Sequence, residues 1–185
     1  MELITNRTAS DAERAKSLLD KGWSNMTETE REEFISGMIG AYNHTDLNRV
    51  ESAVQFVNDY LNALQGNLDT YREAQFVASD PHWMVPFEHP VTLETKTDWS
   101  ISDLPAESDL ERYLRNVSEL TDRIPIVKNL PSTMDRLTID GANEIERTIL
   151  AEHEAGQSYE TETKRLIGNT AKSYVYSGEI FGGEL

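Results

Sequence analysis

Residues able to bind a metal or move a proton crowd into one short stretch, "GAYNHTDLNRVE", Gly40 to Glu51. Asn43, Asp46, Asn48 and Glu51 supply oxygens, and His44 an imidazole. A calcium loop would need oxygens at alternating positions, a central glycine and a closing bidentate acid. The alternation and the glycine are missing here. The start of a helix accounts for the same residues without a metal, because Asn, Asp and Thr bind the backbone amides left free in a first helical turn. Thr45, Asp46, Asn48 and Arg49 are therefore read as helix-start residues.

Other chemistry is scarce. His44, His82, His89 and His153 share no ligand spacing, and no HExxH pair occurs. No GxSxG, GxxxxGK[ST] or GxGxxG appears. The absence of cysteine excludes thiolate ligands, thiol nucleophiles and disulfides. With 33 Asp and Glu, any two could be paired on paper. An acid–base dyad, however, requires environments that separate two pKa values. The expectation is a protein without catalytic residues, metal or cofactor, with a carboxylate-pair hydrolase as the weakest alternative.

Two stretches look built for contact instead. "PHWMVPFEHP" places Trp83, Met84 and Phe87 among prolines, either as a rigid platform for a surface glycan or as the closure of a helical core. The tail carries Tyr174, Val175, Tyr176, Ile180 and Phe181, which need a surface to cover them. Folding back onto the helices or adding a strand to a neighbouring molecule would each supply one.

Seventeen Lys and Arg against 33 acids leave a net charge of −16, which excludes nucleic acid and disfavours an anionic membrane. "MELITNRTAS" lacks the basic and apolar regions of a signal peptide, and no apolar run spans a bilayer. A soluble product of the bacterial cytoplasm is expected.

The elements that must position these residues are mostly helices. "TASDAERAKSLLDKG" pairs Thr8 with Asp11 as a cap, stops at Gly22, and would bury Ala12, Ala15, Leu18 and Leu19. "MTETEREEFISGMIGAY" has a capping box, Thr27 with Glu30, and an inner face of Phe34, Ile35, Met38 and Ile39. Leu47, Val50, Val54, Val57, Leu61 and Leu64 recur every three or four residues, the stripe of a third helix that continues past Gly66. Leu110, Leu114, Val117 and Leu120 mark a fourth, with Pro105 near its first turn. Ala142, Ile145 and Ile149 mark a fifth. Prolines exclude a regular helix from the middle, where "VTLET" reads as a short strand. The fold class is mainly α: a bundle of about five helices over residues 1–170 with a loop-rich insertion at 79–100. Residues 171–185 are expected to form an extended, β-prone arm.

Tyr42 to Val54 echoes Leu137 to Ile149 at a constant offset of 95 residues: Asn48 meets Asn143, Val50 meets Ile145, and Glu51 meets Glu146. Two capped helices alike by chance would produce this. So would a duplicated helical unit whose asparagines tie the two helix starts together.

"NRTASDAERAKSLLDKGWSNMTETEREEFISGMIGAYNHTDLNRVESAVQFV", "KTDWSISDLP", "LERYLRNVSEL", "MDRLTIDGANEIERTIL" and the closing "YSGEIFGGEL" resemble, in this order, a module of tail-region structural proteins of bacteriophages and prophages. The resemblance covers nearly the whole chain. It implies a virion component that contacts other particle proteins or its own copies, and it brings no catalytic residue or cofactor. The positions that carry it are Trp23, Tyr42, Asn43, Thr45, Asp46, Asn48, Arg49, Trp99, Asn143 and Glu146.

Overall fold

A computed structural model describes residues 1–73 and 90–181, with side chains through 67 and from 90 to 165. The chain is a helical bundle. Helix α1 spans Ala9–Lys21, α2 Glu28–Ile35, α3 His44–Glu73, α4 Glu107–Leu120 and α5 Ile139–Phe181, with a 3-10 turn at Trp23–Asn25. Among the described residues there is no strand.

The expected caps begin α1 and α2. Thr8 and Asp11, and Thr27 and Glu30, each exchange side-chain bonds with the other's backbone N–H. Gly22, at φ +75°, ends α1 in a conformation that side chains rarely adopt. Ala15 and Leu18 are buried with Met26 and Met38 in a small cluster of their own. Leu19, Ile35 and Ile39 are exposed instead of inward. Helix α2 stops at Ile35, so the periodicity that would turn Ile39 inward is lost.

The main core joins α3, α4 and α5. All six stripe residues of α3 are buried, with Tyr113, Val117 and Leu120 of α4 and Ile145 and Ile149 of α5. Each such aliphatic side chain contributes about 1.5–3 kcal/mol on burial. Helix α3 passes Gly66 without a break. Helices α3 and α5 run in the same direction, since Arg49 meets Glu146, Phe56 meets His153 and Tyr60 meets Glu160 in ascending order. They also approach closely: a Cβ on Gly156 would lie 2.8 Å from Leu61 Cδ2.

Parallel helices need a long return connection, and this explains the loop-rich middle. Residues 90–100 are extended but pair with no strand, contrary to the strand reading of "VTLET". Side chains of α3 and α4 take up several of their backbone groups. Asn62 accepts from Val91 N (3.1 Å) and donates to Val91 O (2.9 Å), and Asn48 does the same for Trp99. From Val91 to Trp99 an extended chain covers roughly 26 Å. From Asn62 back to Asn48 the helix covers about 21 Å. The return segment is thus laid antiparallel along α3 and fastened near both ends.

The chain end differs from the extended arm expected over 171–185. Helix α5 runs to Phe181, so Tyr174, Tyr176, Ile180 and Phe181 belong to it. Extending a helix already nucleated costs far less than starting one, and no proline interrupts 139–181. Residues 182–185, and Trp83, Met84 and Phe87 with the whole of 74–89, lie outside the described residues.

Candidate functional site

The polar stretch at Gly40–Glu51 starts α3, and Asn43, Asp46, Asn48 and Glu51 Oε2 all have protein partners, while the buried Glu51 Oε1 has none. Asn43 Oδ1 accepts from Thr45 N (2.9 Å) and Thr45 Oγ1 (2.8 Å), while Asp46 Oδ2 accepts from Asn43 N (2.9 Å). This is a reciprocal cap. Among the described residues no group of three or more His, Asp or Glu side chains is placed to hold a metal ion.

Beyond the cap, four charges meet between the starts of α3 and α5. Arg7 Nη2 donates to Asp46 Oδ1 (2.8 Å) and Glu146 Oε1 (2.5 Å). Arg49 Nη2 donates to the same two oxygens, reaching Glu146 at 2.7 Å. Asp46, Glu146 and Arg7 are buried, and Arg49 is largely so. Burial opposes the charge on both arginines. Hydrogen bonds and charge attraction from Glu146 and Asp46 outweigh it and hold both guanidinium pKa values above the ordinary range. Two cations on two anions leave the site neutral, with little charge left for an outside ion.

Asn48 and Asn143 do not tie the two helix starts to each other. Each grips an extended backbone. Asn143 Oδ1 accepts from Arg7 N (2.9 Å) and its Nδ2 donates to Arg7 O (3.0 Å). Asn48 accepts from Trp99 N (2.7 Å) and donates to Trp99 O (2.8 Å). One turn further along, Glu146 Oε2 accepts from Ile4 N (2.5 Å), and Glu51 Oε2 accepts from Lys96 N. Both helices therefore use Asn-x-x-Glu to read the backbone of a segment running antiparallel to them. What joins the helix starts is the arginine–carboxylate cluster.

Several working residues escape a reading of single motifs. Arg7 completes the cluster and lies with its guanidinium carbon 5.4 Å from the Tyr42 ring centre. The Tyr42 hydroxyl bonds that of Tyr113, whose pKa burial pushes well up. Arg112 joins Glu51 (3.2 Å) to the carbonyl of Glu94 (2.6 Å). Glu152, wholly buried, accepts from Ile124 N at 3.0 Å; burial drives its pKa up to about 7 against that bond and the nearby Arg123. The signal for Arg7 and Trp99 was the likeness of the stretches around them, "ITNRTASD" and "KTDWSISD", at an offset of 92 residues.

The arrangement binds peptide backbone and fixes two helices in register. No family model matches the chain, and no curated protein or solved structure matches it either. Among the described residues no helix is long and apolar enough to cross a membrane.

Proposed function

We propose that this chain is a non-enzymatic structural component of a phage or prophage particle, tail-associated and working through contacts with other particle proteins or with its own copies. The observation that carries the reading is how the motif residues are employed. Asp46, Asn48, Arg49, Asn143 and Glu146 hold segments and helices in place. A protein whose most motif-rich polar groups serve its own architecture is built to keep a shape. The ordered resemblance of five stretches to tail-region proteins supplies the setting.

Helix α5 supplies the contact. Its 43 residues make it about 64 Å long, against about 45 Å for the 30 residues of α3. Its last turns carry the aromatic residues of the Lys172–Leu185 stretch, the part assigned to association. Mass spectrometry of particles purified after prophage induction should find the chain at the stoichiometry of tail proteins. Deleting Lys172–Leu185 should change the assembled mass or abolish partner binding. Intact particles without the chain would remove the virion role, and an unchanged assembly state with unchanged binding would remove the contact.

A further inference from the structure

The two long helices are clamped in matching ways, and the match extends to what they clamp. At an offset of 92 residues, Ile4 corresponds to Lys96, Arg7 to Trp99, Thr8 to Ser100 and Asp11 to Asp103. Each pair does the same work. The amides of Ile4 and Lys96 go to a glutamate, and both backbone groups of Arg7 and Trp99 go to an asparagine. Thr8 N donates to Asp11 Oδ2 at 2.8 Å, and Ser100 N to Asp103 Oδ2 at 2.8 Å. Sequence follows structure: Glu2, Thr5, Ser10 and Asp11 recur as Glu94, Thr97, Ser102 and Asp103. A clamped segment followed by a long helix occurs twice in this order; between them the first half carries α1, a 3-10 turn and α2, and the second half α4 alone.

The halves are also crossed. The first half's segment, at Ile4–Arg7, lies on α5 of the second half, and the second half's segment, at Lys96–Trp99, lies on α3 of the first. Reciprocal exchange of one element between two copies is how a swapped dimer is held together. We infer that the chain is two copies of one unit completing each other, and that the Asn143–Glu146 face of α5 is a socket for an extended peptide, able to take the segment at residues 1–11 from a second copy of the chain.

The socket has a definable specificity. Asn143 and Glu146 Oε2 take only backbone groups of the segment, so these contacts set register and tolerate any side chain. Arg7 is the exception, because its guanidinium meets the buried Asp46 and Glu146. A segment with tryptophan there, as in residues 93–103, would leave those two carboxylates one cation, Arg49, in place of two. The ligand is thus an extended peptide with an arginine at the position Asn143 grips. The inference holds whether or not the chain belongs to a particle.

The test uses the full chain carrying Ile4→Pro, which removes the amide that Glu146 accepts from and loosens the resident segment. A fluorescein-labelled peptide of residues 1–11 should bind saturably, followed by anisotropy, and should raise the melting temperature. Arg7→Ala in the peptide should weaken binding by about tenfold or more, the scale of one charge-assisted contact. The peptide of residues 93–103 should bind more weakly, and Trp99→Arg within it should recover about tenfold. Asn143→Ala in the chain should abolish the effect. Should Ile4→Pro fail to fold, the same titrations on the wild-type chain, where the peptide competes with the resident segment, give the answer. Absence of saturable binding in either background, or binding indifferent to Arg7→Ala and Asn143→Ala, would overturn the socket.

Discussion

At the scale of residues, the asparagines and one glutamate carry the sharpest consequences. Replacing Asn143 or Asn48 by alanine leaves a backbone amide and carbonyl without partners, at a cost of about 1–3 kcal/mol each. The two sites differ in their access to water. Asn143 is buried and Asn48 half-buried, although the residues they grip, Arg7 and Trp99, are both buried. Chemical denaturation should therefore show the larger loss for Asn143→Ala, and equal losses would mean that burial does not set the cost. Glu152 acts through pH. Its folded pKa of about 7 lies above the ordinary 4.5, so the folded state binds its proton more tightly. The stability it contributes is fully present below pH about 4.5 and is lost as pH rises through 7, in total on the order of 3 kcal/mol. Arg123, Lys128 and Asp122 bear on the same carboxyl, with desolvation the largest influence. Glu152→Gln keeps an acceptor for Ile124 N and cannot ionise. Its stability should fall less than that of wild type between pH 5 and 8, and parallel pH profiles would contradict the assignment.

At the scale of elements, the helix stripes were legible because burial of α3 follows a period that residue types reveal. Leu47 through Leu64 needed only their spacing, as did Ala142, Ile145 and Ile149. Extended segments were not legible in the same way. Val91–Thr95 looks like a strand to a reading of β-propensity, because propensity registers a pleated, half-buried chain and is silent on what pairs with it. The partners of Val91 and Trp99 are side chains of a helix, 29 and 51 residues away. The echo of Asn48 and Asn143 was visible, but its meaning depended on recognising a second echo in front of each helix. The α1–α2 hairpin shows another limit. It packs on itself and leaves Leu19, Ile35 and Ile39 exposed, which periodicity alone assigns to a core. Gly40 is what lets this hairpin sit against the chain leading into α3. A Cβ there would come within 1.9 Å of the Asp11 carbonyl oxygen, a backbone atom with no freedom to turn aside. Gly40→Ala should cost about 1–3 kcal/mol by overpacking. It should also raise amide exchange in Ala9–Ile35 while leaving the α3–α5 core protected. A variant as stable as wild type, with unchanged exchange, would show that the contact is not required.

At the scale of the whole molecule, crossing makes each half dependent on the other. The segment at Ile4–Arg7 finds its asparagine and glutamate only on α5, and the segment at Lys96–Trp99 finds its own only on α3. Within the first half Arg7 and Arg49 share a single carboxylate, Asp46, and the second one, Glu146, comes from α5. Val50, Val54 and Val57 of α3 share one core with Ile145 and Ile149 of α5. A half expressed by itself would expose this apolar face and keep buried-type carboxylates without partners, both strongly unfavourable. Two halves expressed as separate chains, residues 1–80 and 81–185, should therefore co-purify as a one-to-one complex with the helicity of the intact protein. Either half alone should be largely unfolded or aggregated. Joining them covalently adds effective concentration without any new contact, so the split complex should dissociate on dilution while the intact chain melts independently of concentration. Asn143→Ala or Asn48→Ala in one fragment should weaken the pair. Folded halves that do not associate would show that the crossed segments are incidental to the fold; a complex unaffected by either asparagine would place its stability in the apolar core alone.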